Sequence, residues 1–402
     1  MEAVSRRILL VSPFAPVRDG RHGSVRVIHG LASALAERHD ILLLHLGTDG
    51  DVDPALAARC AAVDVVEPPR RAGWSRRVTD AFALARGRSL WAADSAIPLV
   101  QRQVRSLLRR HQPDVVQVEH TVLGDALAAA PERLRVVTVY DPASSGREHI
   151  ALRREGPRVM HRLDAVAEVR QERRVLALAD AAVVLTERDR GLLAPLALPR
   201  TEVVTIPTGW TVPAQPLDPV GARPPTLLFV GNFVHPPNVD AALRLAQRIL
   251  PLVRSSCPEV TLELVGGSPP PEVHALAGDR VLVAANVASV APHLDHAAVV
   301  VVPIAIGGGV RVKVLEALAA GKAVVASERA AEGIGGAGGK HIVVAEGDQE
   351  MAAAIVELVT DAPARRRLAG EARAWAEREL SWSATADRYD ELYDRLEFRR
   401  NR

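Results

Sequence analysis

Short apolar runs rich in valine, isoleucine and leucine alternate along the chain with longer alanine-, leucine- and arginine-rich stretches of helical period. In the first half the runs are Ile8–Val11, Ile41–Leu46, Val63–Val66, Val115–Val118, Val136–Val139 and Ala182–Leu185. Helical stretches such as Val25–Arg38 and Ser95–His111 lie between them. Several runs have no polar side, as expected for strands covered by helices on both faces. The alternation predicts parallel α/β architecture.

The regularity breaks over Pro207–Pro225, where six prolines and two glycines interrupt any continuous element. This stretch reads as a linker. Strand-like runs resume at Thr226–Val230, Thr261–Val265, Val281–Ala284, Ala298–Val302, Ala323–Ala326 and Ile342–Val344. Helices are expected at Met351–Val359, Ala364–Glu379 and Trp382–Leu396. The division is therefore a first Rossmann-like domain at 1–206, a linker at 207–225, a second such domain at 226–380, and a C-terminal helix at 381–402 able to cross back to the first. Two doubly wound sheets would face a central cleft, and such sheets bind ligands beyond the carboxyl ends of their strands.

Composition narrows the classes. A chain of 402 residues, 48% hydrophobic and 24% charged, has material for two cores. Aromatic residues make up only 3%, so those cores are built from aliphatic side chains. A net charge of +2 gives no concentrated basic face for nucleic acid. Cys60 and Cys257 lack metal-ligand spacing and do not form a disulfide framework; they read as reduced thiols. The apolar run after Arg6-Arg7 is stopped by Ser12-Pro13, too early for a signal sequence, and no run approaches the length of a membrane span. A cytoplasmic protein is expected.

The most informative stretch runs from the valines before Pro303 through Gly307-Gly308-Gly309-Val310-Arg311-Val312-Lys313-Val314-Leu315-Glu316. Glycines let backbone approach a ligand closely. The helix expected beyond them would aim free N–H groups and its positive dipole end at an anion. Arg311 and Lys313 add two cations at a helix start, where cations disfavour the helix itself unless an anionic ligand is present. A diphosphate suits them, with the arginine forking two oxygens and the lysine acting as a point charge. Glu316 is placed to accept hydrogen bonds from ribose hydroxyls. A glycine triplet followed by a solvated helix is the plainer reading, weakened by the combination of strand, proline, glycines, cations and acid.

This segment, with Leu315–Val325 and Glu332-Gly333 after it, resembles the donor motif of the retaining GT-B glycosyltransferases of family 4. Gly231-Asn232 and Pro237-Asn238 resemble a subgroup linked to bacterial exopolysaccharide sugar transfer, and Gly266 and Trp382 also fit. The resemblance is dense in the second half and sparse in the first. It implies a donor site formed by Gly23, Gly231, Asn232, Gly308, Gly309, Val310, Leu315 and Glu316. Two departures stand out. The family motif has two glutamates separated by seven residues, and Gly308 occupies the place of the first. An Arg and a Lys are often present after the first strand of the second domain, where this chain has Asn232 and Pro237. Arg311 and Lys313 would restore the missing charge from the opposite loop.

In the first half, Gly23 matches the second glycine of a family pair, His22 replaces the first, and Arg26 follows one step into the helix. Asp141 ends a strand, with Tyr140 where the family often has histidine, and Glu119-His120 end another. Arg26, Glu119 and His120 are acceptor-side candidates and Asp141 a positioning group, each with an ordinary loop role as the alternative. Arg70–Arg77, with Trp74, reads as a solvated basic loop. Its alternative is contact with the inner face of an anionic membrane, which would suit a lipid-linked acceptor.

The resemblance implies transfer of a sugar with retention from a nucleotide-diphosphate sugar to a glycan, lipid-linked or small-molecule acceptor. It implies no metal and no cofactor beyond the donor substrate. Catalysis would fall to Arg311, Lys313 and Asp141. Two rivals keep the glycine-rich segment: a sugar-nucleotide epimerase, and a non-catalytic protein binding nucleotide sugars or glycans. A dinucleotide-dependent redox enzyme is disfavoured, since no Gly-x-Gly-x-x-Gly turn follows the first strand.

Overall fold

The computed structural model describes residues 5–18, 20, 23–47, 50–69, 73–143, 158–306, 311–334 and 340–402. They form two compact units, Met1–Gly209 with Trp382–Arg402, and Trp210–Ser381. Each is a parallel sheet flanked by helices.

The first sheet has strands β1 (Arg7–Ser12), β2 (Asp40–Leu46), β3 (Ala62–Val66), β4 (Val115–Glu119), β5 (Leu134–Val139), β6 (Ala181–Val184) and β7 (Glu202–Thr205). Their spatial order is β3-β2-β1-β4-β5-β6-β7, all parallel. The second sheet has β8 (Thr226–Val230), β9 (Thr261–Gly266), β10 (Val281–Ala285), β11 (Val299–Val302), β12 (Val324–Ala326) and β13 (Val343–Val344), in the order β10-β9-β8-β11-β12-β13. Both are doubly wound, with strand order reversing between β1 and β4 in one and between β8 and β11 in the other. The expected α/β class is thus observed. Central strands such as β4, β6 and β11 are buried along their whole length; β6 and β11 carry no polar residue, and the two on β4, Gln117 and Glu119, bond to each other. The one strand absent from the sequence reading, β7, is an edge strand with only Val203 and Val204 between Glu202 and Thr205, all half-buried.

The helix Trp382–Arg400 packs on the first unit. Arg6 binds Glu397 through two hydrogen bonds of 3.0 Å, and His39 meets Asp390 at 2.7 Å. Tyr393, fully buried, donates its hydroxyl to Gln117 on β4. At the start of this helix Trp382 fills a slot against the first helix, Gly23–Leu35. A Cβ on Gly30 would stand 2.0 Å from its indole, and one on Gly209 2.6 Å from it.

The proline-rich stretch from Trp210 onward is strapped to the second unit. Lys322, fully buried, donates to the carbonyl of Asp218 and, at 3.1 Å, to that of Asp295. Arg365 donates to the Val220 carbonyl at 3.1 Å. Burial lowers the Lys322 ammonium to about 8, opposed by the carboxylates of Asp218 and Asp295. Cys60 and the buried Cys257 are free thiols, and burial raises Cys60 to about 11. Among the described residues no helix is long and apolar enough to cross a membrane.

Candidate functional site

In the second unit the switch point between β8 and β11 is assembled from loops beyond four strand ends. After β8, the backbone N–H of Gly231 bonds to Val265 at 2.9 Å, and Phe233 N–H to the Gly267 carbonyl at 2.9 Å. The crossing is tight. Gly266 has φ +150°, and a Cβ there would lie 1.8 Å from the Gly231 carbonyl oxygen. Beyond β10, the Asn286 side chain accepts from Ser268 N–H at 3.1 Å. Beyond β11, Arg244 pairs with Asp348 at 2.8 Å and donates to the Pro303 carbonyl at 3.0 Å, fixing the exit of that strand.

The helix predicted after the glycine run is Val312–Ala319, with Arg311 at its cap position. The residues Gly308, Gly309 and Val310 lie outside the described residues. Lys313 Nζ donates to Asn238 Oδ1 at 2.6 Å and stands 4.4 Å from the Phe229 ring centre. Asn238 in turn donates from Nδ2 to the Asn232 carbonyl at 2.6 Å. The lysine therefore reaches the loop after β8, where Asn232 and Pro237 leave no cation. Desolvation, and then the neighbouring Arg311 charge, push this ammonium well below the usual lysine range. Glu316 is partly buried on the same helix, whereas Leu315 is 2% exposed. The leucine side chain points into the core, because the apolar stripe of this short helix must cover the sheet. Glu332 pairs with Arg329 at 3.4 Å, and Gly333 has φ +77°.

In the first unit the corresponding switch point lies between β1 and β4. His120 follows β4 with φ +81°, stacked on Tyr140 at 4.8 Å and edge-on to Trp91 at 5.1 Å and Phe14 at 6.1 Å between ring centres. Burial among these rings lowers its imidazole to about 4, so it is neutral near pH 7. Glu119 is 0% exposed and accepts from Gln117 at 2.6 Å, Tyr140 at 2.7 Å and Thr138 at 3.1 Å. Desolvation raises its carboxyl above the usual range, opposed by those three donors. All three of its partners are internal, and it orients Tyr140 under His120. Asp141, just beyond β5, is exposed; Gly23 opens the first helix and Arg26 is partly buried on it. The aromatic cluster was illegible in sequence, because its four rings come from positions far apart in the chain. Among the described residues, no three His, Cys, Asp or Glu side chains gather as a metal site.

A family model described as Glycosyl transferases group 1 matches residues 224–361. Another, Glycosyl transferase 4-like domain, matches residues 22–209. The chain belongs to the GT-B glycosyltransferases. Comparison with curated proteins gives no match. Among solved structures, the GT-B chain is similar to a sucrose-phosphate synthase from Thermosynechococcus elongatus, with 17% identity, 97% of this chain and 99% of that one covered, and a TM-score of 0.73. It is also similar to Anabaena HepE in complex with UDP and glucose, at 15% identity, 96% and 99% coverage and a TM-score of 0.64. The trehalose 6-phosphate synthase of Burkholderia multivorans follows at 15% identity, 98% and 99% coverage and a TM-score of 0.63. At these identities the likeness shows a shared GT-B fold.

Proposed function

We propose that this glycosyltransferase moves a sugar, with retention, from a nucleotide-diphosphate sugar to an acceptor hydroxyl. The observation that carries the reading is Lys313, drawn by Asn238 onto the glycine-lined switch point of the second sheet. Ligands of doubly wound sheets bind at such points. The diphosphate is assigned to the loops after β8 and β11, with Arg311 and Lys313 stabilising the charge that develops as the sugar–oxygen bond breaks. Glu316 is assigned to the ribose hydroxyls. The acceptor oxygen forms the new bond to the anomeric carbon, and its proton leaves with the diphosphate. Asp141 and the neutral His120 are assigned to the acceptor side with Arg26, and Gly23 to the donor. The UDP held by HepE makes a uridine donor the first choice.

A second reading, a nucleotide-sugar-binding protein without turnover, draws on Gly308 standing where the family has an acid. The test is a panel of nucleotide sugars screened for thermal stabilisation, followed by product analysis. Stabilisation with sugar release or transfer is expected. Stabilisation alone favours the second reading, and full turnover by Arg311→Ala removes that residue from the mechanism.

A further inference from the structure

Two helices of the first unit bury Ala83, Ala167, Val175 and Leu176 yet also expose apolar side chains and turn polar ones inward. On Gly73–Ala85, the described side chains most open to solvent include Val78 at 48% and Phe82 at 55%, with Ala81 and Ala85 exposed on the same face, while Thr79 and Asp80 are half-buried. On Arg158–Leu178, Val159 at 67%, Leu163 at 51% and Val166 at 49% form the exposed stripe at helical spacing. The polar groups face inward because they are needed there. Asp164 accepts from Leu90 N–H at 2.8 Å, Gln171 from Ser89 N–H at 3.1 Å, and Glu172 from Ala143 N–H at 2.6 Å. The two helices meet where a Cβ on Gly87 would lie 3.3 Å from Arg170 Cδ.

The charge on this face has one sign. Arg162, Arg170 and Arg173 are exposed beside the apolar stripe, and the Arg86 guanidinium lies 3.9 Å over the Phe82 ring. No exposed, described residue of either helix is an acid. Apolar side chains flanked by arginines, whose stems lie along apolar surface while their heads reach phosphate, match the interface of an anionic bilayer. A second copy of the same face would set arginine against arginine.

We propose that this face docks on an anionic lipid surface. The face lies outside the candidate nucleotide and acceptor residues, so docking is independent of the transfer reading. The test is sedimentation of the full chain with vesicles of phosphatidylglycerol and phosphatidylcholine, against vesicles of phosphatidylcholine alone. Binding to the anionic vesicles, weakened by salt, is expected. The double variant Phe82→Ser with Leu163→Ser should bind about tenfold or more weakly, each loss removing a side chain from the interface. Its melting temperature should match the parent, since both side chains are exposed, and nucleotide binding serves as the control for the donor site. Equal binding by parent and variant, or no binding by the parent, overturns the proposal. So does self-association in sedimentation velocity that the variant abolishes, because the face then belongs to a second copy.

Discussion

Lys313 Nζ lies 2.6 Å from Asn238 Oδ1, joining residues 75 positions apart in sequence across the switch point of the second sheet. The partner is a neutral amide, and burial and the neighbouring Arg311 charge both disfavour the protonated form. An anion bound beside it would favour that form.

Proton uptake on nucleotide binding follows. A diphosphate raises the lowered lysine back toward its ordinary range, so binding takes up a proton and weakens as pH rises above the free-state value. In the free protein the sign reverses. Between the lowered value and the ordinary lysine range the unfolded chain binds more protons, so this group's contribution to stability rises with pH. Calorimetric titration of UDP in buffers of different ionisation enthalpy reads the uptake. Lys313→Met should abolish it and weaken UDP by roughly tenfold or more, the scale of a charge-assisted hydrogen bond.

Gly30→Ala inverts the usual rule for helices. Alanine inside a helix normally stabilises by about 0.5–1 kcal/mol relative to glycine. Here the new methyl would enter the Trp382 indole, 2.0 Å from its nearest atom. Overpacking of this kind costs about 1–3 kcal/mol, so the variant should melt lower than the parent. Gly30→Ala combined with Trp382→Leu should recover part of the loss, and an additive double variant would disprove the contact.

Acid sensitivity should trace in part to His120. Its imidazole is lowered to about 4 by burial, against an ordinary value near 6.5. As pH falls through that window the unfolded chain protonates before the folded one, and stability drops. His120→Phe keeps a ring beside Tyr140 and Trp91 and removes the titration. Urea midpoints at pH 7 and pH 5 should therefore converge in the variant; an unchanged gap would assign the effect elsewhere.

The sheets were legible because buried parallel strands need almost uninterrupted valine, leucine and isoleucine, as in Val299–Val302. The edge strand Glu202–Thr205 was not, since half-burial tolerates its mixed composition. The glycine-to-helix segment was readable because its chemistry is contiguous. Lys313 with Asn238, or His120 with Trp91 and Phe14, exist only after the sheet brings distant loops together. Periodicity also misleads where apolar residues face outward. The apolar stripe of Arg158–Leu178 would be assigned to a core by pattern alone, yet Val159 is 67% exposed.

The C-terminal helix carries a consequence for biosynthesis. Tyr393 is among the largest fully buried side chains, and with Trp382 and Asp390 it completes a core otherwise made by the first half of the chain. That core stays open on the ribosome until the last helix emerges. The second unit, continuous from Trp210 to Ser381, has all its strands available sooner. Although domains commonly fold from the N-terminus as they are made, the first unit here lacks part of its core until the residues of the second have been synthesised. The first unit therefore reaches its full complement of packing only when residues Trp382–Arg400 are available.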